Sequence, residues 1–153
     1  MGEILINNKE KMFIFVCYRP PRSDINNYLT KLSLSVDKAM LESDNITIIG
    51  DLNQNMKHLN QSRELREFLD TFSLQNIITT PTCYKNPQNP SIVDVIVTSN
   101  SRQYCAKGTI ENGLSDFHHI IFSAIRSGRL QQKAKVIIDP RMWPLGHKVG
   151  LWN

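Results

Sequence analysis

Ile46-Thr-Ile-Ile-Gly-Asp-Leu-Asn53 is the stretch whose reading decides the fold. Its β-branched apolar run reads as a buried strand, because such side chains pack well on a pleated surface. The run ends at Gly50, and Asp51 and Asn53 follow at once. A strand built this way delivers polar groups to the edge of a sheet. Residues two apart in extended backbone point the same way, so Asp51 and Asn53 are expected side by side. A carboxylate and an amide just past a glycine suit a grip on a metal-bound water or a phosphate.

Upstream, Met12-Phe-Ile-Phe-Val-Cys-Tyr18 is a second apolar run of strand type, broken by Arg19-Pro-Pro-Arg22. Asp24 to Glu42 then reads as a helix. Ile25, Tyr28, Leu29, Leu32, Val36, Ala39 and Met40 recur at spacings of three and four, with Ser23 as the expected N-cap. Strand, long helix and strand in this order imply a crossover, hence a parallel or mixed sheet.

Downstream, 54–60 reads as a polar loop and 62–72 as a short helix with Leu65, Phe68, Leu69 and Phe72 inward. Residues 76–82 read as extended, and the Asn- and Pro-rich 84–91 as a loop. Ile92 to Thr98 reads as a buried strand with Asp94 inside it, and 105–110 as a weak edge strand. Phe117-His-His-Ile-Ile-Phe-Ser-Ala-Ile125 is the last strong strand. Lys133 to Ile138 is a further strand candidate, and 140–153 has no usable periodicity.

The length of 153 residues fits one domain or part of one. We divide it into a lead-in over 1–10, a domain over 11–126 and a basic, irregular tail over 127–153. Residues 126–153 hold Arg126, Arg129, Lys133, Lys135, Arg141 and Lys148 against Asp139, a net of +5. The rest carries 12 basic and 13 acidic residues, so the net charge of +4 belongs to the tail. No stretch is long and apolar enough to span a membrane. Met1-Gly-Glu-Ile-Leu-Ile6 has an acid where a signal peptide carries basic residues, so an intracellular protein is expected. Cys17, Cys83 and Cys105 lack zinc or redox spacing and read as small buried hydrophobes.

Asp94 is the sharpest anomaly, because a bare carboxylate inside a buried strand is costly. It should lie near an end, be paired, or bind something. Taken singly, each acid also has an ordinary reading. Asp94 can serve a loop network, Gly-Asp-x-Asn can be a turn, and Ser115-Asp116 can be a cap. His118 and His119 are adjacent in the expected strand and so face opposite ways. Together, however, three acids near strand edges with a His, an Asn and a Tyr form the inventory for metal-assisted attack of water on a phosphoester.

Tyr18-Arg-Pro-Pro21, Gly50-Asp-Leu-Asn53, Ser91-Ile-Val-Asp94 and Leu114-Ser-Asp116 with a nearby His, in that order, resemble the endonuclease/exonuclease/phosphatase superfamily. More narrowly, they resemble the apurinic-endonuclease-like domain of non-LTR (LINE-type) retrotransposon proteins. Phe68-Leu-Asp-Thr-Phe-Ser-Leu74, Pro81-Thr-Cys-Tyr84 and Gly113-Leu-Ser-Asp-Phe-His118 resemble that branch too, so the likeness covers about residues 10–126. The resemblance implies an α/β fold: a partial four-layer α/β sandwich of the DNase I-like type, lacking its first strands. It implies DNA strand nicking with Mg²⁺ or Mn²⁺ and no small-molecule cofactor. Tyr18 would contact the scissile phosphate, and Asp51 would orient and deprotonate the attacking water. Asn53 would bind phosphate, and Asp94 would orient the His or line the leaving-group side. Asp116 would join the metal site with Asp51, and His118 would serve as the catalytic His.

Two departures accompany the resemblance. Phe117 holds the place of the family's His, one position before His118; in a strand that shift would turn the side chain to the other face, so either the loop before the strand absorbs the shift and His118 serves, or the His role is lost. The family also carries an Asn and a metal-binding Glu on strands well ahead of the Tyr-Arg-Pro-Pro element. The expectation is therefore a shortened domain, weak or inactive by itself, with an exposed apolar face through which it could associate. The alternative expectation is a non-catalytic nucleic-acid- or partner-binding remnant that uses its basic tail.

Overall fold

The computed structural model of the chain describes residues 2–6, 10–111, 113, 115–126 and 135–136. Its strands are β1 (Gly2–Ile6), β2 (Glu10–Tyr18), β3 (Ile46–Asp51), β4 (Gln75–Asn76), β5 (Asp94–Thr98), β6 (Tyr104–Ile110), β7 (Ile120–Ile125) and β8 (Lys135–Val136). Helix α1 (Ile25–Met40) joins β2 to β3, and α2 (Arg63–Thr71) precedes β4. One sheet runs β4-β5-β3-β2-β1-β8, and β6 and β7 form a separate antiparallel pair. The crossover through α1 makes β2 and β3 parallel, as the strand–helix–strand reading requires.

The sheet's two faces are covered differently. Phe13, Phe15 and Cys17 of β2 and Ile46 and Ile48 of β3 meet Leu29, Leu32, Val36 and Ala39 of α1 and the inner face of α2. Burying a leucine such as Leu32 contributes about 1.5–3 kcal/mol, so this side carries most of the stabilisation. The opposite face packs Ile49 and Ile96 against Tyr104 of β6 and Ile121 of β7. A polar pin joins the two sheets there: Thr47 Oγ1 lies 2.6 Å from Tyr104 Oη, with Thr98 Oγ1 at 3.2 Å. Helices, six-stranded sheet and two-stranded sheet are three successive layers. Beyond the reach of β6 and β7 the second face is open, and Val16 is 78% exposed.

Local chemistry moves several boundaries. Asp24, not Ser23, caps α1, since its carboxylate accepts the Asn26 and Asn27 N–H groups. The expected loop after Asn53 contains a 3₁₀ turn over Met56–Gln61, started by Asn55 Oδ1 accepting the Lys57 N–H. Of the expected extended 76–82 region only Asn76 falls in a strand, β4 (Gln75–Asn76), at one sheet edge. Asp94 opens β5 and does not interrupt it. β7 starts at Ile120, because Ser115 Oγ accepts the Phe117 and His118 N–H groups and holds those residues in a turn. Cys17 and Cys83 are buried as expected, but Cys105 is exposed on the hairpin. The expected lead-in contains β1, which pairs with β2. Of the tail, only 135–136 are described, paired with β1; the irregular stretch expected over 140–153 lies outside the described residues.

One backbone position admits a single residue type. Gly50 has φ +147°, and a Cβ there would lie 1.7 Å from the Cys17 carbonyl oxygen. Gly50→Ala must push β3 off β2 or reset the φ angle. The expected loss is at least about 2 kcal/mol in urea unfolding, against near-neutrality for Gly2→Ala, where a Cβ meets nothing.

Candidate active site

Strand register assembles the site. Tyr18 stands opposite Asp51 in the β2–β3 pair, and Asp51 stands opposite Asp94 in the β3–β5 pair. The three residues form one row across the end of the sheet. Cys17 and Gly50, one step back, belong to the other side of the pleat. Tyr18 is 62% exposed at the open end of the row, while Asp51 and Asp94 are half-buried.

Asp51 and Asn53 do come together, but not by strand alternation. The chain turns after Asp51, and Asn53 has φ +47°. Asp51 Oδ1 accepts the Asn53 backbone N–H at 2.7 Å, and Asp51 Oδ2 accepts from Asn53 Nδ2 at 3.1 Å. The same Nδ2 donates to the Arg19 carbonyl at 2.8 Å, so both amide protons are engaged. Asn is one of the few side chains at home in this left-handed conformation.

Arg19 holds that turn from below. Its guanidinium is buried and donates to the carbonyls of Leu52 at 2.6 Å, Ser23 at 2.7 Å and Asn53 at 2.8 Å. Its own N–H donates to the Asp51 carbonyl. One rigid fork thus fixes both the end of β2 and the turn after β3. Sequence reading took Arg19 as part of a strand breaker and of the Tyr-Arg-Pro-Pro motif, with no role of its own; an Arg directly after an apolar run was the signal available.

A second tie comes from Thr82 to Tyr84. The fully buried Thr82 hydroxyl accepts the N–H groups of Val93 and Asp94, both at 3.1 Å. Thr82 O accepts the His119 N–H, and the Tyr84 N–H donates to Phe117 O. This segment therefore sets the backbone of Asp94 and of the His118 turn together. His118 Nδ1 comes within 3.7 Å of Asp94 Oδ2, and His118 Nε2 within 3.6 Å of Cys83 Sγ. Phe117 is half-exposed. His119 faces away and stacks on Tyr84 at a ring separation of 4.4 Å.

The acids differ in setting. Burial pushes the Asp51 carboxyl above its ordinary range; the Asn53 N–H opposes this, and the Asp94 charge adds to the rise. Asp94 Oδ2 is buried and has no hydrogen-bond partner among the described residues. Asp116 sits exposed on the turn, with no hydrogen bond or ion pair to Asp51, Asp94 or His118 among the described residues. Nor do any three His, Cys, Asp or Glu side chains converge closely enough to hold a metal among those residues. The donors nonetheless suit a hard cation in kind. Mg²⁺ commonly takes one or two carboxylates and completes its shell with water and phosphate, and the orphaned Asp94 oxygen is such a donor.

Residues 12–122 match the family model described as endonuclease-reverse transcriptase. Among solved structures, the chain is similar to the endonuclease domain of TRAS1, a telomere-specific non-LTR retrotransposon, with 17% identity and a TM-score of 0.65. The likeness covers 82% of this chain and 62% of that one. At this identity it shows the fold, which is of the DNase I-like type. No curated protein matches the sequence.

Two outcomes follow from the geometry. Arg19→Ala leaves buried carbonyls of Leu52 and Asn53 without donors, and should cost about 3 kcal/mol in urea unfolding. The raised pKa of Asp51 means that its proton is held more tightly in the folded chain. Its contribution to stability is therefore present below the unfolded value near 3.8 and is lost as pH rises through the folded value. The melting temperature of Asp51→Asn, relative to the unsubstituted chain, should rise as pH passes upward through that window. A difference independent of pH would contradict the assignment.

Proposed function

The chain belongs to the endonuclease-reverse transcriptase family, and we propose that it acts on DNA as a metal-assisted phosphodiesterase, nicking one strand. The observation that carries this reading is the row Tyr18–Asp51–Asp94 with His118 at its end. Asp51 is the base. A half-buried carboxyl with a raised pKa is better matched to taking a proton from water than an ordinary surface carboxylate. Tyr18, exposed at the end of the row, touches the scissile phosphate. Asn53 lies beside Asp51 and reaches the phosphate by giving up one of its two amide hydrogen bonds. Asp94 orients His118, which donates from Nε2 toward the phosphate oxygens once the ring is protonated on both nitrogens.

Mg²⁺ or Mn²⁺ is the proposed cofactor; Asp51 and the unpartnered Asp94 Oδ2 would hold it, and Asp116 would join them only if its exposed turn moved toward that pair. When bound, the ion supplies positive charge against the charge that develops on the phosphate. The described carboxylates that meet are only Asp51 and Asp94. Full activity needs a further hard ligand, so nicking by the chain alone is slow, by several orders of magnitude relative to a complete site.

Conversion of supercoiled plasmid to open circles tests this. Slow nicking in Mg²⁺ is expected, lost with EDTA and lost in Asp51→Ala. Nicking that survives Asp51→Ala would defeat the reading, and fast nicking would defeat the claim of an incomplete site.

A further inference from the structure

Cys83 has no task in the proposed reaction, yet its Sγ lies 3.6 Å from Nε2 of His118. On the other side of the ring, Nδ1 lies 3.7 Å from Asp94 Oδ2, the buried oxygen without a hydrogen-bond partner among the described residues. At 3.7 Å this is a charge contact and not a hydrogen bond, but a carboxylate facing Nδ1 favours the proton on that nitrogen. A neutral ring protonated at Nδ1 presents a lone pair at Nε2, and the thiol S–H is placed to donate to it. Free histidine favours the opposite tautomer. Cys83 is 6% exposed, which leaves water little access to the thiol.

The thiol is not placed by chance packing. Cys83 bridges Ser91 on one side and His118 on the other. It follows Thr82, whose hydroxyl fixes the Asp94 backbone. One short segment therefore positions both groups that face the imidazole.

We propose that Cys83 is a positioning residue: its thiol holds Nε2 of His118, clamping the ring between Cys83 and Asp94 in the Nδ1–H tautomer. His118 donates from Nε2 to a phosphate oxygen only by releasing the thiol and taking up a proton at Nε2. Residue 83 thereby sets how readily His118 engages. That last consequence rests on the proposed role of His118; the clamp itself does not.

The test is ¹⁵N NMR of the histidine rings in the whole chain at about pH 8, where an ordinary imidazole is neutral. The unsubstituted chain should show His118 as the Nδ1–H tautomer. Cys83→Ser, which keeps a donor, should retain that pattern, and Cys83→Ala should move the Nε2 resonance toward that of a free lone pair. An Nε2–H tautomer in the unsubstituted chain would overturn the clamp, as would ring resonances unmoved in a folded Cys83→Ala. If Cys83→Ala does not fold, the unsubstituted chain and Cys83→Ser still decide the matter. In the plasmid assay, Cys83→Ala should change kcat several-fold with KM unchanged, and Cys83→Ser should restore it. A chain that nicks no plasmid at all would count against the proposed function and leave the tautomer to judge the clamp.

Discussion

Cys17 and Gly50 face each other across the parallel pair with no room between them for a methyl group. Because residue 50 has no side chain, the end of β3 can adopt a backbone angle closed to other residues and stay tight against β2. The next residue, Asp51, then lands between Tyr18 and Asp94 at the end of the sheet. The Asn53 turn closes on Asp51, and Arg19 closes on the Asn53 turn.

Stability and chemistry lie on opposite faces of one sheet. The α1 side is apolar and continuous, from Phe13 to Val97. The other side holds groups that a fold built only for stability would avoid. Asp51 carries a raised pKa, and one Asp94 oxygen lacks a hydrogen bond among the described residues. Perturbed, under-satisfied groups of this kind concentrate at functional sites, where substrate or ion completes them. Their cost is of a size that the packed α1 face can offset.

The elements legible in the sequence are those whose pattern is local. The apolar runs of β2, β3 and β5 and the three-four spacing of α1 needed no knowledge of neighbours. Asp94 could be singled out for the same reason, since a carboxylate beside Val95 and Ile96 is anomalous wherever the chain goes. What misled was also local. Strand alternation was applied to Asn53, where the Asp51 side chain captured a backbone N–H and turned the chain first; at His118 the Ser115 turn before β7 is the loop that can absorb the one-residue shift. The contacts of Arg19, Thr82 and Cys83 were not legible because these partners are 33, 12 and 35 residues away.

The sequence by itself determined the α/β class, the crossover and the acid most expensive to bury, because composition and periodicity act over a few residues; the family was legible through the resemblance of its ordered motifs. Only the tertiary structure decided which of the acids meet. Asp51 and Asp94 face each other because β3 and β5 pair antiparallel in one register, whereas Asp116 stays on an exposed turn. It also decided that His118 sits between a carboxylate and a thiol. Register and loop closure depend on contacts between distant residues, and no local pattern encodes the distance at which two side chains come to rest.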